Sequence, residues 1–95
     1  MQPPDITRVF KGPQNEFEVE IVFAREGNQS PKEGHAYDEI IVVTDGVIEL
    51  ERSDQKKIST HSKYDTIFVP KETVHQITVK KAPAKLVIIH PEHKE

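Results

Sequence analysis

The chain of 95 residues is 35% hydrophobic and 31% charged, a balance that allows one small core and is too apolar for a disordered tail. Its formal net charge is -3 and its lysines are scattered, so it offers no basic footprint for nucleic acid. It has no cysteine, no apolar run longer than four residues and, in MQPPDITRVF, nothing that reads as a secretion signal; disulfides and a membrane-spanning helix are excluded, and a reducing cytoplasm is the expected location.

Strand signals dominate from end to end. A weak strand is expected at residues 7–10, and a stronger one at 17–23, where Phe17, Val19, Ile21 and Phe23 alternate with Glu18, Glu20 and Val22. That alternation assigns the aromatic and aliphatic residues to the core and Glu18 and Glu20 to a solvated outer face. Residues 40–43 and 47–51 flank Asp45-Gly46 and read as a hairpin. Further strands are expected at 57–60, 66–69, 75–80 and 86–89, about eight in all. No stretch shows helical periodicity, and Pro70, Pro83 and Pro91 interrupt the second half. Short strands with closely spaced turns predict a sandwich or barrel, a single domain over residues 1–95 with an ordered core of about 7–90 and frayed ends.

Glu33, His35, Glu39, Ile41 and Val43 share parity, so a regular pleat beginning at Glu33 turns all five side chains to one face. Burying two carboxylates and an imidazole there costs several kcal/mol each unless something compensates, and a divalent cation would. His75 opens a later strand in the same way, with Ile77 and Val79 following on its face. Polar residues at the entry of a strand and apolar residues deeper are the pattern of a metal site at a barrel mouth. A metal-free pocket, in which Glu39 accepts hydrogen bonds from His35 or His75, fits the same residues.

At these positions the sequence resembles the cupin superfamily. The first cupin motif sets glycine, five residues, His-x-His, three or four residues, glutamate, six residues, glycine. Gly27, Glu33, His35, Glu39 and Gly46 fall at those spacings, with Glu33 where the family has its first histidine. The second motif sets glycine, five residues, Pro-x-Gly, two residues, histidine, three residues, asparagine. Tyr64, Pro70, Glu72, His75 and Val79 occupy those places, so proline and histidine match while both glycines and the asparagine are replaced. The resemblance implies an all-β, cupin-type jelly-roll barrel of two antiparallel sheets. It also implies a divalent metal ion, manganese, iron, nickel or zinc, held by His35, Glu39 and His75, with Glu33 either a fourth ligand or a solvated loop residue. Two functions follow from it: a metal-dependent enzyme of dioxygenase or sugar isomerase/epimerase type acting on a small oxygenated substrate, or a non-catalytic module that binds a small metabolite, metal-free or with a structural metal.

Tyr37 has the parity of the ligands and is expected to line the substrate pocket or fill its mouth, and Phe68 to shape the pocket from the wall. Phe23, Ile41, Val43, Ile48, Leu50, Ile77 and Val79 are expected to pack the barrel. His61, Ser62 and Lys63 read as a solvated loop, and His90 and His93 as part of a frayed tail. Ile40 and Val42 leave a second apolar face on a central strand, which predicts a homodimer.

Overall fold

The computed structural model describes residues 4–14 and 16–92; His93 lies outside them. The described chain forms six antiparallel strands, β1 (Asp5–Lys11), β2 (Glu18–Ala24), β3 (Glu39–Arg52), β4 (Ser59–Ser62), β5 (Thr66–Val69) and β6 (His75–His90). No helix occurs among the described residues, so none is long and apolar enough to cross a membrane. Hydrogen bonds join the strands in the order β1-β2-β6-β3-β4, and β5 shares with β4 the far edge of β3. Asp5 and Ile6, expected to fray, belong to β1.

Two long strands organise the fold. β3 pairs with β6 along almost its whole length, residues 40–45 against 85–89 and residues 47–52 against 75–81, with register shifts between Val43 and Ile48. Asp45-Gly46 is therefore not the hairpin turn that the dipeptide suggests. Both flanking segments face the same partner strand, and the dipeptide forms a bend inside β3. Gly46 has a φ of 80°, and a Cβ there would lie 2.5 Å from the Pro83 carbonyl oxygen and 2.6 Å from that of Lys81, so only glycine fits. Segments 75–80 and 86–89 merge in β6 in the same way, which reduces the expected strands to six.

The bend also changes which parity faces inward. Glu39, Ile41 and Val43 are buried before it, Ile48 and Leu50 after it. Both halves of β3 thus feed one core, completed by Val22, Ala24, Ile67, Val69, Ile77, Val79, Ala84 and Leu86. The sheet folds over this core as a jelly roll, its halves sharing β3 and β6.

The expected facing of β2 is reversed. Glu18, Val22 and Ala24 are buried, whereas Phe17 and Ile21 are exposed and Phe23 is only half-buried. Register explains it: Val22 faces Leu86 and Ala24 faces Ala84, both in the core, and the same side carries Glu18 opposite His90. Phe68 is likewise turned out, since β5 buries Ile67 and Val69 instead. The outer face is consequently apolar too, with Phe10, Val19, Ile89, Ile40 and Phe68 in one cross-strand row over five strands.

Candidate metal centre

The segment before β3 is a loop and not the regular pleat expected from Glu33, and backbone hydrogen bonds fix it against the start of β6. Glu33 and His75 exchange a pair, His75 N–H to the Glu33 carbonyl at 3.1 Å and Glu33 N–H to the His75 carbonyl at 3.2 Å. Glu72 N–H donates to the His35 carbonyl at 2.7 Å. Glu72 has a φ of 66° and Tyr64 one of 77°. These are the two places where the second motif carries glycine, the residue that adopts a left-handed backbone most readily. Irregular as it is, the loop still brings its side chains to one point.

That point is Glu39. Its Oε2 lies 2.9 Å from Nε2 of His75, and its Oε1 lies 3.8 Å from Nε2 of His35. One donor atom from each of His35, Glu39 and His75 falls within 4.8 Å of the others. Donors around an ion at about 2.1 Å sit roughly 3–4 Å apart, so small adjustments would seat a divalent metal. The tautomer of His75 is suited to ligation as well, since its Nδ1 donates to the Thr73 carbonyl at 3.0 Å, which leaves Nε2 to face the donor set. Two imidazoles and a carboxylate match the preferences of first-row divalent ions. Glu33, considered as a fourth ligand, lines the cavity but is exposed and falls outside this group of donors.

Two residues that the sequence assigned to a tail and an outer face complete the cluster. His90 is buried, with Nε2 2.8 Å from Glu39 Oε1 and Nδ1 2.9 Å from Glu18 Oε1. Glu18 is buried beside it, and its second oxygen lies 3.7 Å from Lys11 Nζ. Glu18, Glu20 and His90 form a second group of close donors. The signal for both was parity: Ala84, Leu86, Ile88 and His90 share one face of β6. Val87 and Ile89 make the opposite face look equally core-like, which hid it.

Charge and burial compete at the centre. Burial alone would raise the pKa of Glu39, but hydrogen bonds from His75 and His90 outweigh it and hold the carboxyl at about 2. Burial would lower both histidines, yet the bond to Glu39 raises His75, and bonds to Glu39 and Glu18 raise His90. The phenol of Tyr37 is pushed up by burial and then by Glu18, Glu39, Glu20 and Glu33.

All of these side chains line a cavity of about 570 Å³ whose apolar lining includes Val22, Ile77, Leu86 and Ile88. The Tyr37 ring stacks on His35, centroids 4.9 Å apart and planes 3° from parallel, and lies 4.5 Å from His90. Phe68 does not contribute, being exposed on the outer face. His61, expected in a solvated loop, is half-buried in β4 with Nε2 2.7 Å from Ser59 Oγ, and it does not line the cavity.

No family model matches the sequence, and no curated protein is similar to it. Solved structures are similar in fold. An RmlC-like cupin family protein with a double-stranded β-helix fold from Methanocaldococcus jannaschii superposes with a TM-score of 0.83 at 14% identity, over 98% of this chain and 84% of that one. KdgF from Halomonas sp. gives 0.78 at 17%, over 97% of this chain and 80% of that one. A cobalt(II) HppE in complex with its substrate gives 0.68 at 22%, over 80% of this chain but 45% of that one. The fold is that of the small cupins.

Proposed function

We propose that this small cupin binds one divalent metal ion through His35, Glu39 and His75 and uses it to hold a small oxygenated molecule in the adjoining cavity. The convergence of three donors from the loop before β3, from β3 and from β6 in the lining of that cavity carries the reading. An ion bound there supplies positive charge and vacant coordination positions that orient and polarise an oxygen-bearing ligand. The chain's own groups do the rest: Val22, Ile77, Leu86 and Ile88 give the ligand an apolar wall, and Tyr37 presents a phenol kept protonated by burial and then by the acidic groups around it. A dioxygenase or a sugar isomerase/epimerase is the class of enzyme that the cupin resemblance implies, and one of the similar structures is a cobalt(II) protein in complex with its substrate. A chain without cysteine suits the cytoplasm.

A second reading has its own observation. Glu39, His75, His90 and Glu18 form an unbroken hydrogen-bonded chain, so the polar groups satisfy one another without any ion, as in a metabolite-binding module. Elemental analysis of protein purified without chelator separates the two. The first reading requires close to one metal per chain, lost on His75→Ala while the fold persists; less than about one-tenth of an equivalent would leave the second.

The outer row Phe10, Val19, Ile89, Ile40 and Phe68 supports a homodimer. An apolar row of this extent on a sheet face is an interface pattern, and a second copy buries its like against it.

A further inference from the structure

The sequence pairs β2, β6 and β3 side by side, and their register decides what stands next to Glu39. Glu18 is opposite His90. Ile89 is opposite Ile40, so the residues one step away on the inner face, His90 and Glu39, are neighbours as well. Glu18, His90 and Glu39 therefore form one inward row across three strands, and all three are buried.

The two oxygens of Glu39 have different surroundings in that row. Oε1 is 2.8 Å from His90 Nε2 and, at the longer distance of 3.8 Å, faces His35 Nε2, whereas Oε2 is 2.9 Å from His75 Nε2. The imidazole of His90 cannot swing away cheaply, because its other nitrogen is held by Glu18 at 2.9 Å and Glu18 is steadied by Lys11. Yet His90 is not part of the donor group of His35, Glu39 and His75. It lines the same cavity and holds the donor carboxylate by Oε1. For both oxygens of Glu39 to turn toward an ion, the hydrogen bond between Oε1 and Nε2 of His90 inside a buried row would have to break.

We infer that His90, anchored by Glu18, is a positioning residue that makes Glu39 a one-oxygen donor to the metal. This rests on the metal-binding reading given above. The third imidazole of the cavity thereby has a role distinct from the other two, fixing the donor count and so the number of positions left for a ligand. A glutamine at position 90 could still donate one N–H to Glu39 Oε1, whereas alanine could not.

Cobalt(II) serves as the probe, because its visible absorption weakens as its coordination number rises. Wild type, His90→Ala and His90→Gln are loaded with cobalt, and the dissociation constants and spectra are compared, with metal-free melting temperatures measured alongside. His90→Ala is expected to bind cobalt about 10- to 100-fold more weakly, with a less intense band as Glu39 becomes free to give both oxygens. His90→Gln should keep the wild-type spectrum and lose only a few-fold in affinity. Should His90→Ala fail to fold, Glu18→Leu replaces it, with an expected loss of about 10-fold. Wild-type affinity and spectrum in the alanine or leucine variant would overturn this inference alone. A wild-type chain that takes up no cobalt would overturn the metal-binding reading and this inference with it.

Discussion

Nε2 of His75 lies 2.9 Å from Oε2 of Glu39, and both side chains are buried. In the metal-free protein this contact is an ion pair within a hydrogen-bonded cluster, and it ties stability to pH in two directions. The Glu39 carboxyl is lowered from 4.5 to about 2, so its contribution is complete above about pH 4.5 and disappears as pH falls toward 2. His75 and His90 are raised from 6.5, so theirs is complete below about pH 6.5 and disappears as pH rises through their folded values. Metal-free protein should therefore melt highest between about pH 4.5 and 6.5, and Glu39→Gln should flatten the profile. The Glu39 shift corresponds to roughly 3 kcal/mol, counted once for the whole cluster. A wild-type profile that parallels that of Glu39→Gln from pH 3 to 8 would refute the coupling.

Metal binding should depend on pH in the opposite sense to the histidine contribution. An ion needs a neutral His75, and Glu39 makes that proton harder to remove. Affinity for manganese or cobalt is expected to rise between pH 5.5 and 7.5, by up to about tenfold per pH unit for each proton displaced. Titrations at the two pH values decide it, and equal affinities would mean that the imidazole is not a ligand.

Four positions of the two cupin motifs, Gly27, Gly46, Tyr64 and Glu72, have φ between 66° and 81°. Side chains at Tyr64 and Glu72 hold a conformation that glycine adopts without strain. Tyr64→Gly and Glu72→Gly should each be neutral to stabilising, by up to about 1 kcal/mol, since glycine also loses more freedom on folding. Gly46→Ala should cost more than about 3 kcal/mol, because strain and collision with Pro83 and Lys81 add. Gly27→Ala, with open space around its Cβ, should cost about 1 kcal/mol. Chemical denaturation measures all four, and a Gly46→Ala variant no worse than Gly27→Ala would contradict the packing at the bend.

The outer apolar row predicts a dimer. Sedimentation at micromolar concentration should give twice the chain mass, and Phe68→Glu combined with Ile40→Asp should return the monomer with the metal site intact. Both side chains lie on the face opposite the cavity. A wild type that sediments as a monomer removes the proposal.

The legible and illegible parts of this chain differ for a physical reason. His35, Glu39 and His75 were legible because polar residues ahead of a buried run are costly and their spacing is specific. The strands themselves were legible from alternation. Facing was not, because β2 and the last part of β6 are apolar on both sides: Ile21 and Val22, or Val87 and Ile88, serve either face equally well. That ambiguity pointed Phe17, Ile21 and Phe23 inward by alternation alone and hid Glu18, while ending the last strand at residue 89, ahead of Pro91, left His90 in the tail although β6 includes it. Asp45-Gly46 misled for a different reason. The dipeptide reports a positive φ, which Gly46 has, but it cannot tell a reversal from a bend when the partner of Asp45 is Lys85, far along the chain.

One ion at one place is the central claim. Diffraction from crystals grown with manganese, recorded at a wavelength where it scatters anomalously, should give a single strong peak about 2.1 Å from Nε2 of His35, Nε2 of His75 and one oxygen of Glu39. A cavity without a peak, or a peak confined to Glu18, Glu20 and His90, would contradict it.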